Sequence, residues 1–194
     1  QDLSERTTGM SNRSNAFLIL GPTGSGKTPL GDYLARQGFA GRRCLHFDFG
    51  AQLRAIHAMS APPDFLDEGA MAVIASSLEQ GVLLENRTFY IAEAILRGFL
   101  AGNDPRGEAL LVLNGLPRHI GQAADMDRLA VIRSVLHLAC TSEVIHERLR
   151  RNAGGDRGGR SDDEAAAIAA RLARFRERTL PLLDYYRRKG VHVG

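Results

Sequence analysis

Short apolar runs alternate along this chain with longer segments in which apolar residues recur every three or four positions. Five runs have the length and composition of buried strands, at residues 17–20, 44–49, 110–113, 134–139 and a last one at 191–193. Between them, residues 30–37, 67–78 and 86–100 carry helical spacing, the last placing Ile91, Ile95 and Phe99 on one face. Strands separated by helices predict an α/β domain in three layers, a central parallel five-stranded sheet with helices on both faces. In such sheets ligands gather outside the carboxyl ends of the strands, which singles out residues 21–28, 48–54 and 114–118.

Two segments break the alternation. Residues 52–102 hold helical patterns punctuated by Ala61-Pro62-Pro63-Asp64 and Glu79-Gln80-Gly81 but no clear strand, so a helical insertion over the sheet is expected at about 49–84. Residues 152–159 are Gly-rich and flanked by arginines, a composition expected to be mobile. Ser161 and Glu164 then form a capping box ahead of a long helix. Its inner face is expected to carry Ile168, Leu172, Phe175 and Leu182, with a kink at Pro181.

The first interstrand segment carries the chemistry. Gly21-Pro22-Thr23-Gly24-Ser25-Gly26-Lys27-Thr28 satisfies G-x-x-x-x-G-K-[ST] at every fixed position, with a strand before it and a helix after it. Composition alone produces such a match in about 0.2% of shuffled chains, so chance is set aside. Glycines let successive backbone N–H groups turn inward as a nest for phosphate oxygens, and the following helix points its positive end at the same place. Lys27 brings a point charge to the β and γ phosphates, and Thr28 offers a hydroxyl to Mg²⁺.

Composition narrows the partners. With 194 residues, 44% apolar and 24% charged, the chain suits one globular domain over residues 16–194, behind a polar leader at 1–15 expected to be disordered. No apolar run approaches the roughly 20 residues that span a bilayer, so no membrane is expected as a partner and the cytoplasm is the expected compartment. A net charge of +3 does not call for nucleic acid. Of the 25 basic residues 23 are Arg, the side chain suited to bidentate phosphate recognition. Cys44 and Cys140 lack CxxC partners and read as buried thiols rather than zinc ligands.

The chain resembles the adenylate kinase family of nucleoside monophosphate kinases over about residues 16–193. Five segments match in order: the phosphate loop; His46 to Arg54, ending in Leu-Arg; Gly81-Val82-Leu83-Leu84; Asn114-Gly115-Leu116-Pro117-Arg118 with Gln122; and Gly159-Arg160 through Arg171 to Tyr185-Tyr186. The resemblance implies a P-loop NTPase fold, a short lid at about 152–161 without zinc, ATP with Mg²⁺, and small-molecule nucleotides as partners of a monomer. It assigns Lys27 and the phosphate loop to ATP, and Phe49, Arg54, Leu84, Gly115, Arg118 and Gln122 to the acceptor nucleotide, with Gln122 reading the base. Arg148 is assigned to ATP, Arg160 and Arg171 to the acceptor, and all three to closure on the transferring group; Thr28 and Asn114 go to the metal. Asn114 stands where the family has Asp, so weaker metal dependence or slower turnover is expected. Phe49 and Ala51 replace its usual Thr and Asp.

Transfer from ATP to AMP, giving two ADP, is the leading expectation, and it needs no general base because the acceptor is already an oxyanion. A P-loop kinase of a small hydroxylated metabolite, of the shikimate or gluconate type, would need a carboxylate to take the hydroxyl proton, and Asp48 is the candidate. Its plainer role is as a helix cap. A nucleotide-binding protein with little catalysis is the third possibility, supported by Asn114. A tRNA prenyl transferase would share the loop but want a larger substrate domain.

Overall fold

The computed structural model describes residues 13–151 and 165–194. Five strands, β1 (Ser14–Leu20), β2 (Cys44–Asp48), β3 (Leu110–Asn114), β4 (Ala130–His137) and β5 (His192–Val193), form one sheet in the order β2-β3-β1-β4-β5. Every neighbouring pair is parallel. The helices are α1 (Lys27–Gln37), α2 (Phe49–His57), α3 (Glu68–Gln80), α4 (Phe89–Asn103), α5 (Ile120–Met126), α6 (Ser142–Arg150), α7 (Ala165–Arg174) and α8 (Leu182–Arg188). This is the three-layer α/β fold of P-loop NTPases.

All five expected strands are present, with shifted ends. β1 begins at Ser14, so the last two residues of the expected leader belong to the sheet, where Ser14 pairs with Ala130 and Asn15 with Val131. β2 stops at Asp48 because the Asp48 carboxylate accepts the Ala51 amide at 2.9 Å and starts α2 there, turning Phe49 from the expected strand end into the first helical residue. β4 starts four residues earlier than the apolar run implied and ends at His137. Cys140 therefore lies past the strand and is only partly buried, whereas Cys44 in β2 is buried as expected; both thiols are free.

The central strands are dry. Leu18, Ile19, Val112, Leu113 and Val135 are fully buried, as expected for parallel strands covered on both faces. The α4 pattern holds: Ile91 and Ile95 are buried, and Phe99 packs edge-on against Phe47 of β2, ring centroids 5.1 Å apart.

The C-terminal helix departs from expectation. Ile168, Leu172 and Leu182 are buried, but Phe175 is only partly so and faces the cleft at the sheet's carboxyl edge. The interruption precedes Pro181. Residues Phe175–Thr179 form a π-helical turn in which the Leu180 amide donates to the Phe175 carbonyl at 2.8 Å, and Pro181 sits at the start of α8, where its missing N–H costs nothing. The expected short lid, the expected capping box of Ser161 and Glu164, and Arg160 lie outside the described residues.

Candidate functional site

The chain leaves β1, crosses β3 to reach β2, returns to β3, and only then moves to β4 on the other side of β1. That reversal opens a crevice at the carboxyl ends of β1 and β3, the position at which doubly wound sheets bind ligands. A cleft of about 840 Å³ lies there. Its wall includes every predicted site residue that is described, except Pro22. Pro22 faces a smaller cavity of about 180 Å³ beside Cys140 and Phe175.

The phosphate loop joins β1 to α1. Gly26, at φ 97°, is the N-cap of α1 in a left-handed conformation that a side chain would oppose. Lys27 folds back along the loop, its Nζ donating to the Gly21 and Pro22 carbonyls at 2.8 and 2.7 Å. The Ser25 hydroxyl is buried without a hydrogen-bond partner among the described residues. From α6, the Arg148 guanidinium donates to the Ser25 carbonyl at 2.9 Å.

On the floor of the cleft three polar side chains meet. The Thr28 hydroxyl donates to Asp48 Oδ2 at 2.6 Å, and the Asn114 amide nitrogen donates to the same oxygen at 2.9 Å. Asn114 Nδ2 also lies 3.4 Å from His46 Nε2, and His46 Nδ1 meets Asp32 on α1 at 2.8 Å. The ring therefore carries its proton on Nδ1 when neutral, leaving Nε2 to accept. This donor set suits a hard cation, since hydroxyl and carboxylate oxygens are the ligands Mg²⁺ prefers and, among the described residues, no thiol or imidazole bonds to Thr28 Oγ1 or Asp48 Oδ2.

The opposite wall is built around residues 81–85. Gly81 ends α3 in a left-handed conformation, and its carbonyl accepts from Arg174. The Leu84 carbonyl accepts from Gln122 Nε2 at 2.7 Å and sits 3.1 Å from His119 Nε2. Gln122 Oε1 in turn accepts the Arg118 amide at 2.7 Å, and Thr179 donates to the Arg118 carbonyl at 2.7 Å. Both arms of Gln122 are thus used in positioning backbone. His119 and Arg174 escaped the sequence reading, because a histidine following Pro-Arg and one arginine among many carry no spacing signal.

Charge in the cleft is lopsided. Among the described residues, Lys27, Arg54, Arg118, Arg148 and Arg171 line it against the single carboxylate of Asp48. The Arg118 guanidinium is pulled down to about 10, first by desolvation and then by the neighbouring charges of Arg174 and Arg171, with Asp48 opposing. A cleft that crowds cations at such a cost is complementary to polyanions.

No protein-family model matches the chain. It is similar to an adenylate kinase of Synechococcus sp. (strain WH7803), 32% identical over 184 residues that cover 92% of this chain and 87% of the relative. It is also similar to an adenylate kinase of Parvibaculum lavamentivorans, 27% identical over 182 residues, 90% of this chain and 80% of the relative. Adenylate kinase isoenzyme 5 of Mus musculus is 30% identical over 184 residues, which cover 93% of this chain but 30% of that longer protein.

Proposed function

The chain belongs to the adenylate kinase family, and on that premise we propose that it transfers the γ-phosphoryl group of ATP to a nucleoside monophosphate, with AMP as the first acceptor to test and two ADP as products. The observation that carries this reading is the cleft itself, in which, among the described residues, five cationic side chains converge and the one carboxylate already accepts three hydrogen bonds. In the reaction an acceptor phosphate oxygen bonds to the γ-phosphorus while the bond from that phosphorus to the bridging oxygen of the departing ADP breaks. No proton need leave the acceptor, so positioning and charge neutralisation do the catalysis.

In this reading the loop amides and Lys27 hold the ATP phosphates. Arg54, on α2 beside Gly50, and Arg118, at the end of the β3 loop, hold the acceptor phosphate. Arg148 and Arg171, with Arg160, neutralise the transferring group. Phe49, Leu84, Gly115 and Gln122 form the acceptor pocket, the helical insertion at about 49–84 being its lobe and residues 152–161 its lid. When bound, the Mg²⁺ that accompanies ATP would neutralise phosphate charge, held on the cleft floor where Thr28 and Asn114 meet Asp48. Among the described residues, no helix is long and apolar enough to cross a membrane.

The hydroxylated-metabolite reading rests on Asp48 standing in the cleft, but that carboxylate is engaged with Thr28, Asn114 and Ala51, which leaves it poorly placed as a base. Initial rates with Mg·ATP and AMP, CMP, UMP, GMP, shikimate or gluconate separate the two. ADP formation that depends on a nucleotide is the expected result. Transfer only to shikimate or gluconate would overturn the reading.

A further inference from the structure

The carboxylate at the floor of the cleft comes from an unexpected strand. β2 and β3 run parallel with Asp48 and Asn114 as direct register partners at their carboxyl ends, and Thr28 reaches both from the first turn of α1. The residue on the strand beside β1 is thus an amide, and the residue one strand further out is the acid. P-loop enzymes hold their metal between the loop Ser/Thr and a strand-end aspartate, and among the described residues Asp48 is the one strand-end carboxylate within a hydrogen bond of the loop hydroxyl.

We propose that Asp48 supplies the carboxylate that orders the divalent cation and its water shell, while Asn114 is a positioning residue that holds Asp48 and Thr28 in register. The proposal rests on the phosphoryl-transfer reading above.

The hydrogen-bond directions support this division. Thr28 has one hydroxyl proton, and at 2.6 Å from Asp48 Oδ2 that proton is committed to the carboxylate. Thr28 Oγ1 accepts from Asn114 Nδ2 at 3.3 Å with one lone pair, which leaves the other to face a cation. Asp48 Oδ1 caps α2 through the Ala51 amide, which fixes the carboxylate plane and keeps Oδ2 toward Thr28. Asn114 contributes two N–H donors and no charge. Its Nδ2 lies 2.9 Å from Asp48 Oδ2, 3.3 Å from Thr28 Oγ1 and 3.4 Å from His46 Nε2, so the side chain is anchored by the His46–Asp32 pair behind it. A second carboxylate at position 114 would face Asp48 at hydrogen-bond distance, and one of the two would hold a proton.

The test uses Mn²⁺ as the probe with a non-hydrolysable ATP analogue, reading bound metal from the electron paramagnetic resonance of free Mn²⁺ and from water-proton relaxation. The parental protein is compared with Asp48→Asn, Asn114→Asp and the double variant Asp48→Asn/Asn114→Asp. Asparagine caps helices about as well as aspartate, so Asp48→Asn retains the start of α2. Asp48→Asn is expected to weaken Mn²⁺ in the ternary complex by about 10-fold or more, with metal-free analogue binding retained. Asn114→Asp alone is expected not to tighten Mn²⁺, and the double variant, which returns one carboxylate on the other strand, is expected to recover most of the loss. Parental affinity for Mn²⁺ in Asp48→Asn overturns the assignment and leaves Asp48 a helix cap. A parental protein that fails to bind the analogue at all overturns the phosphoryl-transfer reading along with it, which distinguishes the two failures.

Discussion

Arg148 on α6 donates to the carbonyl of Ser25 in the phosphate loop at 2.9 Å, closing a separation of 123 residues. The side chain is otherwise exposed, so it fastens the loop without being part of the core. Arg148→Ala is expected to lower kcat by on the order of 10²-fold, with the thermal midpoint nearly unchanged. Arg148→Lys should recover only part, since a point charge cannot reproduce the planar fork. Steady-state kinetics beside a thermal melt check both.

Gly31 lies inside α1, where alanine would normally stabilise a helix by about 1 kcal/mol. Here a Cβ would stand 2.2 Å from His46 Nε2, so the ring that anchors Asn114 packs directly on the glycine. Gly31→Ala is expected to reverse the usual sign, costing about 1–3 kcal/mol in urea unfolding and lowering turnover through the displaced His46–Asn114 contact.

Arg118 carries the cost of the cleft's charge. A guanidinium whose folded value is pulled down to about 10, chiefly by burial, binds its proton less well folded than unfolded. The penalty is therefore fully present below about pH 10 and is relieved as pH rises from there toward the ordinary arginine range. Arg118→Met, which keeps the length and removes the charge, is expected to raise the ligand-free thermal midpoint by about 2–4 °C. That gain should stay level between pH 6 and 9, while kcat/KM for the monophosphate falls by on the order of 10²–10³-fold. A lower midpoint in the ligand-free variant would show that the guanidinium is a structural tie.

Much of the fold was legible because its signals are local. The phosphate loop is contiguous, the buried strands are unbroken apolar runs, and α4 repeats Ile91, Ile95 and Phe99 at helical spacing. The end of β2 was misplaced by one residue because Phe49 is as apolar as a strand residue, and the decisive force, the Asp48 cap, is a polar contact that hydrophobic spacing does not register. The Thr28–Asp48–Asn114 cluster was harder still. Its members are 20 and 66 residues apart, and only the register of β2 on β3 brings them together. Likewise the clamp of His119 and Gln122 on the Leu84 carbonyl joins a loop to a helix start that nothing in their spacing connects.

The fate of the γ-phosphate distinguishes transfer to a nucleoside monophosphate from hydrolysis. The protein is incubated with Mg·ATP labelled at the γ-phosphorus, with and without AMP, and with Lys27→Ala as a control that removes the loop ammonium. Label is expected in the β-phosphate of ADP formed from AMP, with little release to water without acceptor and transfer in Lys27→Ala reduced by on the order of 10²–10³-fold. Label appearing only as inorganic phosphate whichever nucleoside monophosphate is offered, or transfer at the parental rate in Lys27→Ala, would contradict the proposed transfer.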